Sequence, residues 1–442
     1  MLKRSLSTWL ALGSGLFLAL FVSSALAESH VRIVRLSEVQ GTVQVDRGTG
    51  QGYEKAFLNM PVVQDMKLAT KADGRAEVEF EDGSTLRLAS DTTVAFNALA
   101  LQDSGAKVTG VTLQQGLAYV DYTAREKGST FTLTFQNEKA QPREAVHFRV
   151  DLQDTNAAVA VLNGDLNVDG PSGAVEVSKN KTATFDFAAN DKYTIAKNIE
   201  ENPFDVWDKQ QSKYQREYAS KGTNNNYPYS YGVSDLNYYG NYYNVPGYGM
   251  MWQPYFAGAG WDPFAYGSWM FYPGFGYTWV SGYPWGWMPY RYGAWNFVPG
   301  YGWMWAPGGF GGFAPVPVVT NPPQRFKPPV PPSSGTATVV VKQPVLSSNV
   351  PRRVTVQAGS AGLGVPRGAV NNLGKFSQEV QAHGSATLHT SPPARSAMAM
   401  PSPSMTGSGH ASTGAGHVST GGGHMSTGSR VSSGGHASAP HR

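Results

Sequence analysis

Residues 75–96 read RAEVEFEDGSTLRLASDTTVAF. Ala76, Val78 and Phe80 alternate with Glu77, Glu79 and Glu81, a period of two that turns one face to a core and the other to water, as in a half-buried antiparallel strand. Asp82-Gly83 follows, a dipeptide that tolerates positive φ and suits a tight hairpin, and Leu86, Leu88, Val94 and Phe96 resume the apolar positions. One hairpin cannot bury a face by itself, so the reading requires further strands. They are offered at 41–45 (GTVQV), 116–122 (GLAYVDY), 131–135 (FTLTF), 146–150 (VHFRV) and 158–168 (AVAVLNGDLNV). The expectation is a mainly β domain spanning 28–198.

GTVQV, then LNMPVVQDMKLAT at 58–70, then the 75–96 hairpin, a strand at Gly116 and AVAVLNGDLNV stand in an order that resembles the FecR-type periplasmic sensor domain, over about 31–187. In relatives that relay iron–siderophore signals, a cytoplasmic helical segment binds a sigma factor and a transmembrane helix joins it to the sensor. The resemblance implies an antiparallel β sandwich or solenoid-like fold and a sensor role. This chain departs from that plan at its start, so a detached sensor-like domain is expected.

That start has Lys3 and Arg4, an apolar run over 9–22, and Ala25-Leu26-Ala27, the pattern of a secretory signal cleaved after residue 27. No later stretch supplies about 18 uninterrupted apolar residues, so no transmembrane helix is expected in the mature chain. The sequence contains no Cys, which excludes acylation at Cys, disulfides and thiolate metal sites. The expected address is the periplasm, the cell surface or the medium. Net charge is +4 at pH 7 but unevenly spread: residues 314–442 hold ten Lys and Arg against one acid, Glu379. This region is rich in Pro, Gly, Ser and His, and a disordered basic tail is the expectation over 314–442, with a short strand-like run at 336–342.

Residues 199–222 predict one amphipathic helix: Asn202 is placed to cap, Pro203 to occupy the first turn, Gly222 to end it, and Phe204, Trp207, Gln211, Tyr214 and Tyr218 form a stripe at spacings of three and four. After a polar link at 223–226, the region 223–313 is a repeat rather than low complexity. YGSWMFYPGFGYTW at 266–279 aligns with YGAWNFVPGYGWMW at 292–305, and a weaker copy runs over 239–252. Each copy reads as strand, Pro-Gly-aromatic-Gly turn, strand, so an array of aromatic β-hairpins is expected, three units stacking into one stable structure. With the helix before it, this stretch also resembles an uncharacterised family of secreted bacterial proteins, over about 202–307. The matching residues are Asp205 and Trp207, then Asp235, Leu236, Tyr239 and Gly240, then Trp285, Trp287, Pro289, Tyr290, Gly293 and Trp295.

Catalytic signatures are missing: there is no GxSxG, HExxH, phosphate loop or Cys nucleophile, and a non-enzymatic role is expected. His410, His417 and His424 recur every seven residues, but without acids, Cys or a fold to organise them they read as a spacer rather than a metal site. Asp165, Asn167, Asp169, Gly170 and Glu176 satisfy the EF-hand loop expression. Alternating strands on both sides argue for a hairpin turn instead, and no cofactor is expected. Flat aromatic rings stack on sugars, so Trp269, Trp279, Trp285, Trp287, Trp295, Trp303 and Trp305 are the candidate ligand-binding residues, the competing role being core. The leading expectation is an exported, non-catalytic envelope module that binds a ligand or polymer, with a polysaccharide or a protein as partner and no nucleic acid. A sensor or regulator working through a partner protein, and a structural matrix or adhesion protein, are the alternatives.

Overall fold

The structure is a computed structural model and describes residues 32–125, 127–221, 231–272, 276–308, 316–333, 340–341 and 353–389. The signal-peptide reading at 1–27, the 223–226 link, most of the run at 336–342 and the histidine repeats beyond 390 lie outside them.

The 75–96 hairpin forms as expected: Arg75–Glu79 pairs with Thr85–Leu88, Val78 opposite Leu86. It belongs to a sheet whose strands run in the spatial order Pro61–Val62, Val34–Gln40, Arg75–Glu79, Thr85–Leu88, Lys107–Tyr122, Val146–Leu152, Asn156–Asn163, Lys181–Asp186 and Lys192–Ala196, all antiparallel. A second sheet orders Tyr53–Lys55, Val43–Asp46, Lys67–Thr70, Thr93–Leu101, Lys107–Tyr122, Thr130–Phe135, Glu138–Gln141, Asp165–Gly170 and Gly173–Ser178. The 16-residue strand Lys107–Tyr122 serves both sheets. It changes sheet at Gly116, whose φ is +87° and where a Cβ would lie 2.6 Å from Thr92 Oγ1; only glycine fits so close to a neighbouring strand. Leu36, Val78, Leu86 and Val120 from one sheet and Val45, Leu68, Phe96 and Leu133 from the other are fully buried in a common core. The mainly β fold expected for this part of the chain is present, antiparallel except where Thr130–Phe135 runs parallel to Lys107–Tyr122. The EF-hand-like loop is the turn of a hairpin in it, with Asp165 opposite Ser178 and Gly170 opposite Gly173.

Helix α1 spans Asp205–Ala219, two residues later than a cap at Asn202 and a first helical residue at Pro203 suggested. Asn202 still organises its start, because its Oδ1 accepts from the Phe204 N–H at 2.9 Å and its own N–H donates to Asp205 Oδ2 at 2.8 Å. Trp207, Gln211, Tyr214 and Tyr218 are buried, as their stripe predicts, and so are Asp208 and Ser212. A second helix, α2, spans Val233–Tyr239.

Three aromatic hairpins follow: Gly240–Val245 with Gly249–Pro254, Gly267–Tyr272 with Gly276–Ser281, and Ala294–Val298 with Gly302–Ala306. They do not stack as equal units. The first and third join edge to edge through Trp252 opposite Trp305, whereas the middle one forms its own sheet with Val340–Val341. The expectation of disorder over 314–442 is corrected for 353–389, where Arg353–Gln357 pairs with Ser385–His389 around a third helix, α3, Leu373–His383, capped by Asn372. Val354 and Val356 alternate with exposed residues, and Val356, Ala361, Val365, Leu373 and Val380 enter the same core as the aromatic hairpins. Composition averaged over 129 residues hid this short periodic run. Among the described residues, no helix is long and apolar enough to cross a membrane.

Candidate functional site

Glu77 and Glu79, read from alternation as the wet face of their strand, are buried. The reason is tertiary: α1, α2 and residues 359–369 cover that face and bring compensating charge. Glu77 Oε2 accepts from Arg87 Nε at 2.8 Å, and its Oε1 from Ser37 Oγ at 2.7 Å and Arg367 Nη1 at 2.8 Å. Glu79 Oε2 lies 3.2 Å from Arg35 Nη1 and accepts the Gly232 N–H at 3.1 Å. Asp235, on α2, meets Arg35 Nη2 at 2.6 Å, takes Arg367 Nη2 at 2.7 Å and Nε at 2.9 Å, and accepts the Tyr214 hydroxyl at 2.8 Å. Arg87 Nη1 donates to Asp208 Oδ1 at 2.7 Å and Ser212 Oγ at 2.8 Å, and His147 Nε2 lies 2.9 Å from Asp208 Oδ2. Alternating carboxylates and guanidinium groups thus tie the β domain, both helices and residue 367 into one buried network.

The network splits the two glutamates. Burial pushes Glu79 up to about 7, helped by Asp235 and opposed by Arg35. Glu77 feels the same burial, but Arg87 and Arg367 prevail and hold it down at about 2. Burial works against the charged form of Arg87 and Arg367 too, yet the surrounding carboxylates hold both above the ordinary arginine range. Isolated buried charges would each cost several kcal/mol, so their pairing is a condition of this packing.

Beside the network lies a cleft of about 590 Å³ between the β domain and α1. Thr85, Arg87 and Asp121 line it from the sheet, Thr123 and Arg125 from the segment that follows Tyr122, Ser212, Gln215 and Arg216 from α1, and Val233 and Ser234 from α2. Asp121 Oδ2 accepts from Ser212 Oγ at 3.0 Å. Two buried polar atoms of the lining residues, Thr85 Oγ1 and Arg87 Nη2, have no hydrogen-bond partner among the described residues.

The seven tryptophans put forward as a glycan-stacking surface lie elsewhere. Trp269, Trp279, Trp285, Trp287, Trp295, Trp303 and Trp305 are each at most 3% exposed. Trp269 faces Trp279 across one hairpin and Trp295 faces Trp305 across another. Trp285 sits at the centre, stacked on Tyr283 at 5.0 Å and touching Trp252 at 4.9 Å and Trp295 at 5.9 Å, while its Nε1 donates to Ala361 O at 2.7 Å. Trp287 packs on Tyr231 at 5.3 Å, and Trp303 on Phe326 at 4.6 Å. No ring face is open for a sugar. Because Leu, Ile and Val are scarce in 227–313, these rings supply the apolar area of the region's core.

Residues 66–167 match the FecR protein family and residues 233–329 match a family of unknown function, DUF6600. The chain thus carries a FecR domain followed by a DUF6600 domain. Two crystal structures of a "putative anti-sigma factor" from Parabacteroides distasonis ATCC 8503, at 1.65 and 2.50 Å resolution, each align with 18% identity and a TM-score of 0.27. Each alignment covers 32% of this chain and 63% of that one. A search of curated proteins found no match.

Asp205 and Trp207 lie ahead of the matched residues 233–329, so the resemblance expected from about 202 is found from 233 on, but with Asp235 they dock the region on the β domain. Asp205 accepts the Tyr119 hydroxyl at 2.8 Å and pairs with Arg149, Trp207 is buried under Arg75 at 5.3 Å, and Asp235 is the network's hub on α2. Reading the sequence missed Arg35, Arg87 and Arg367. The turn did not reveal Arg87 either: a two-residue loop at Asp82-Gly83 would place it opposite Val78, whereas the observed loop of three residues, 81–83, closed by the Phe80 N–H to Ser84 O at 2.9 Å, sets Arg87 opposite Glu77, a cross-strand pair of opposite charge. Nothing local marks Arg367, which lies 290 residues from Glu77.

Proposed function

We propose that this chain is an exported, non-catalytic FecR-domain protein of the cell envelope that acts as a sensor or regulator through a protein partner. The observation that carries this reading is the FecR domain itself, matched at 66–167, whose sheet is fused by the buried charge network to α2 of the DUF6600 domain. Anything that engages one part is felt by the other, because separating them would expose or strand Arg35, Glu79 and Asp235 together. Burial of the seven tryptophans removes the main support for a glycan-stacking role, which leaves protein contact as the favoured mode of action.

The test is photo-cross-linking in cells from probes placed at exposed Ile195 on the FecR side and exposed Tyr301 on a Pro-Gly-Tyr-Gly turn. The reading expects one envelope protein with a membrane span to be captured reproducibly. Capture of copies of the chain alone would refute it in favour of a matrix role, and a chain that stays in the cytoplasm would refute the export part.

A further inference from the structure

The cleft between the FecR sheet and α1 is the feature that the charge network does not use up. Its volume, about 590 Å³, falls in the range of sites that hold a small molecule. Of its polar lining groups, the acids are already engaged: Asp121 with Ser212, and Glu79 with Arg35 and the Gly232 N–H. The donors are not. Arg87 uses Nε and Nη1 on Glu77, Asp208 and Ser212, but its Nη2 is buried without a partner among the described residues, and so is Thr85 Oγ1. A buried donor left unmade costs about 1–3 kcal/mol, and a guanidinium cannot shed its proton to escape that cost, so the group facing Arg87 Nη2 must be an acceptor. Exposed Arg216 adds a further cation to the lining, while Val233, Ala145 and Ala219 supply an apolar wall.

From this we infer that the cleft binds a small organic oxyanion, its carboxylate or phosphate group directed to the arginines and its body against the Val233 wall. Arginine suits both groups, since its planar fork matches their oxygens. The inference stands on the cleft alone and does not rest on the signalling reading.

The test is isothermal titration of the full chain with glucuronate and glucose 1-phosphate, with glucose as the uncharged control of the same size. Saturable binding of either charged sugar but not of glucose is expected, and which of the two binds separates a carboxylate from a phosphate ligand. Arg216→Gln and Thr85→Val should each weaken it at least tenfold, and affinity should fall as salt is raised, because a charged site near the surface is screened. Arg216 is exposed, so the Gln variant keeps the readout if Thr85→Val does not fold. Equal binding of glucose, no binding by any of the three, or binding that ignores Arg216→Gln would overturn the inference. So would a high-resolution crystal structure grown with either charged sugar in which Thr85 Oγ1 and Arg87 Nη2 are satisfied by ordered water alone.

Discussion

Arg367→Ala probes whether residues 353–389 are a working part of the fold or an appendage. Arg367 makes three charge-assisted hydrogen bonds, two to Asp235 at 2.7 and 2.9 Å and one to Glu77 at 2.8 Å, and its guanidinium lies 5.4 Å over the Tyr214 ring. Removing one partner of a buried ion pair typically costs about 3–5 kcal/mol. Here both carboxylates keep a second cation, Asp235 through Arg35 at 2.6 Å and Glu77 through Arg87 at 2.8 Å, so the lower end, about 3 kcal/mol, is expected. Guanidinium denaturation of the full chain, followed by near-UV circular dichroism, measures it. Arg353→Ala, at an exposed strand position, is the control and should change stability by less than about 0.5 kcal/mol. A double-mutant cycle with Asp235→Asn should return a coupling of about 1–3 kcal/mol. If Arg367→Ala behaved like Arg353→Ala, the burial and pairing assigned to Arg367 would be wrong, and with them the docking of this segment.

Gly293 and Gly300 both have positive φ, +70° and +82°, but a Cβ at Gly293 would lie 2.1 Å from Ala306 O whereas at Gly300 it meets nothing within 4 Å. Gly300→Ala should therefore cost only the left-handed penalty, about 1–2 kcal/mol, and Gly293→Ala clearly more; equal midpoints in denaturation would contradict the hairpin geometry. The buried glutamates give opposite pH dependence. With a folded value of about 7 against 4.5 for the free side chain, Glu79 holds an extra proton in the folded state, so its contribution is fully present below 4.5 and is lost as pH rises through 7. Glu77, at about 2, contributes fully above 4.5 and loses that contribution as pH falls toward 2. Glu79→Gln should flatten the stability profile between pH 4.5 and 7; an unchanged slope would show that Glu79 is not buried as described. Tryptophan emission of the full chain should be blue-shifted and poorly quenched by iodide, since nine of the eleven tryptophans lie between residues 252 and 305 and all nine of these are buried. Ready quenching would return those rings to the surface.

Much of the β architecture was legible because its signals are local. Alternation at 76–80, the Asp-Gly turn and the repeated Pro-Gly-aromatic-Gly turns each specify backbone geometry within a few residues. The stripe through Trp207, Gln211, Tyr214 and Tyr218 likewise announced both the helix and its docking face. The charge network was not legible, because alternation reports only that successive side chains point to opposite faces and is silent on what covers the second face. Glu77 and Glu79 satisfy the pattern of a wetted strand until α1, α2 and Arg367 arrive.

The amino-acid sequence therefore determined the strands, the turns, the aromatic hairpins and the helix α1, each through the torsional and solvation preferences of neighbouring residues. Tertiary structure alone decided that the tryptophans of the hairpins are core, that Arg353–Gln357 and Leu373–His383 belong to the folded body, and that four acids and three arginines from distant parts of the chain share one dry site. The physical reason is the same in each case. Burial and charge pairing depend on which surfaces meet, and contacts such as Arg367 with Glu77, 290 residues apart, exist only once the chain has closed on itself.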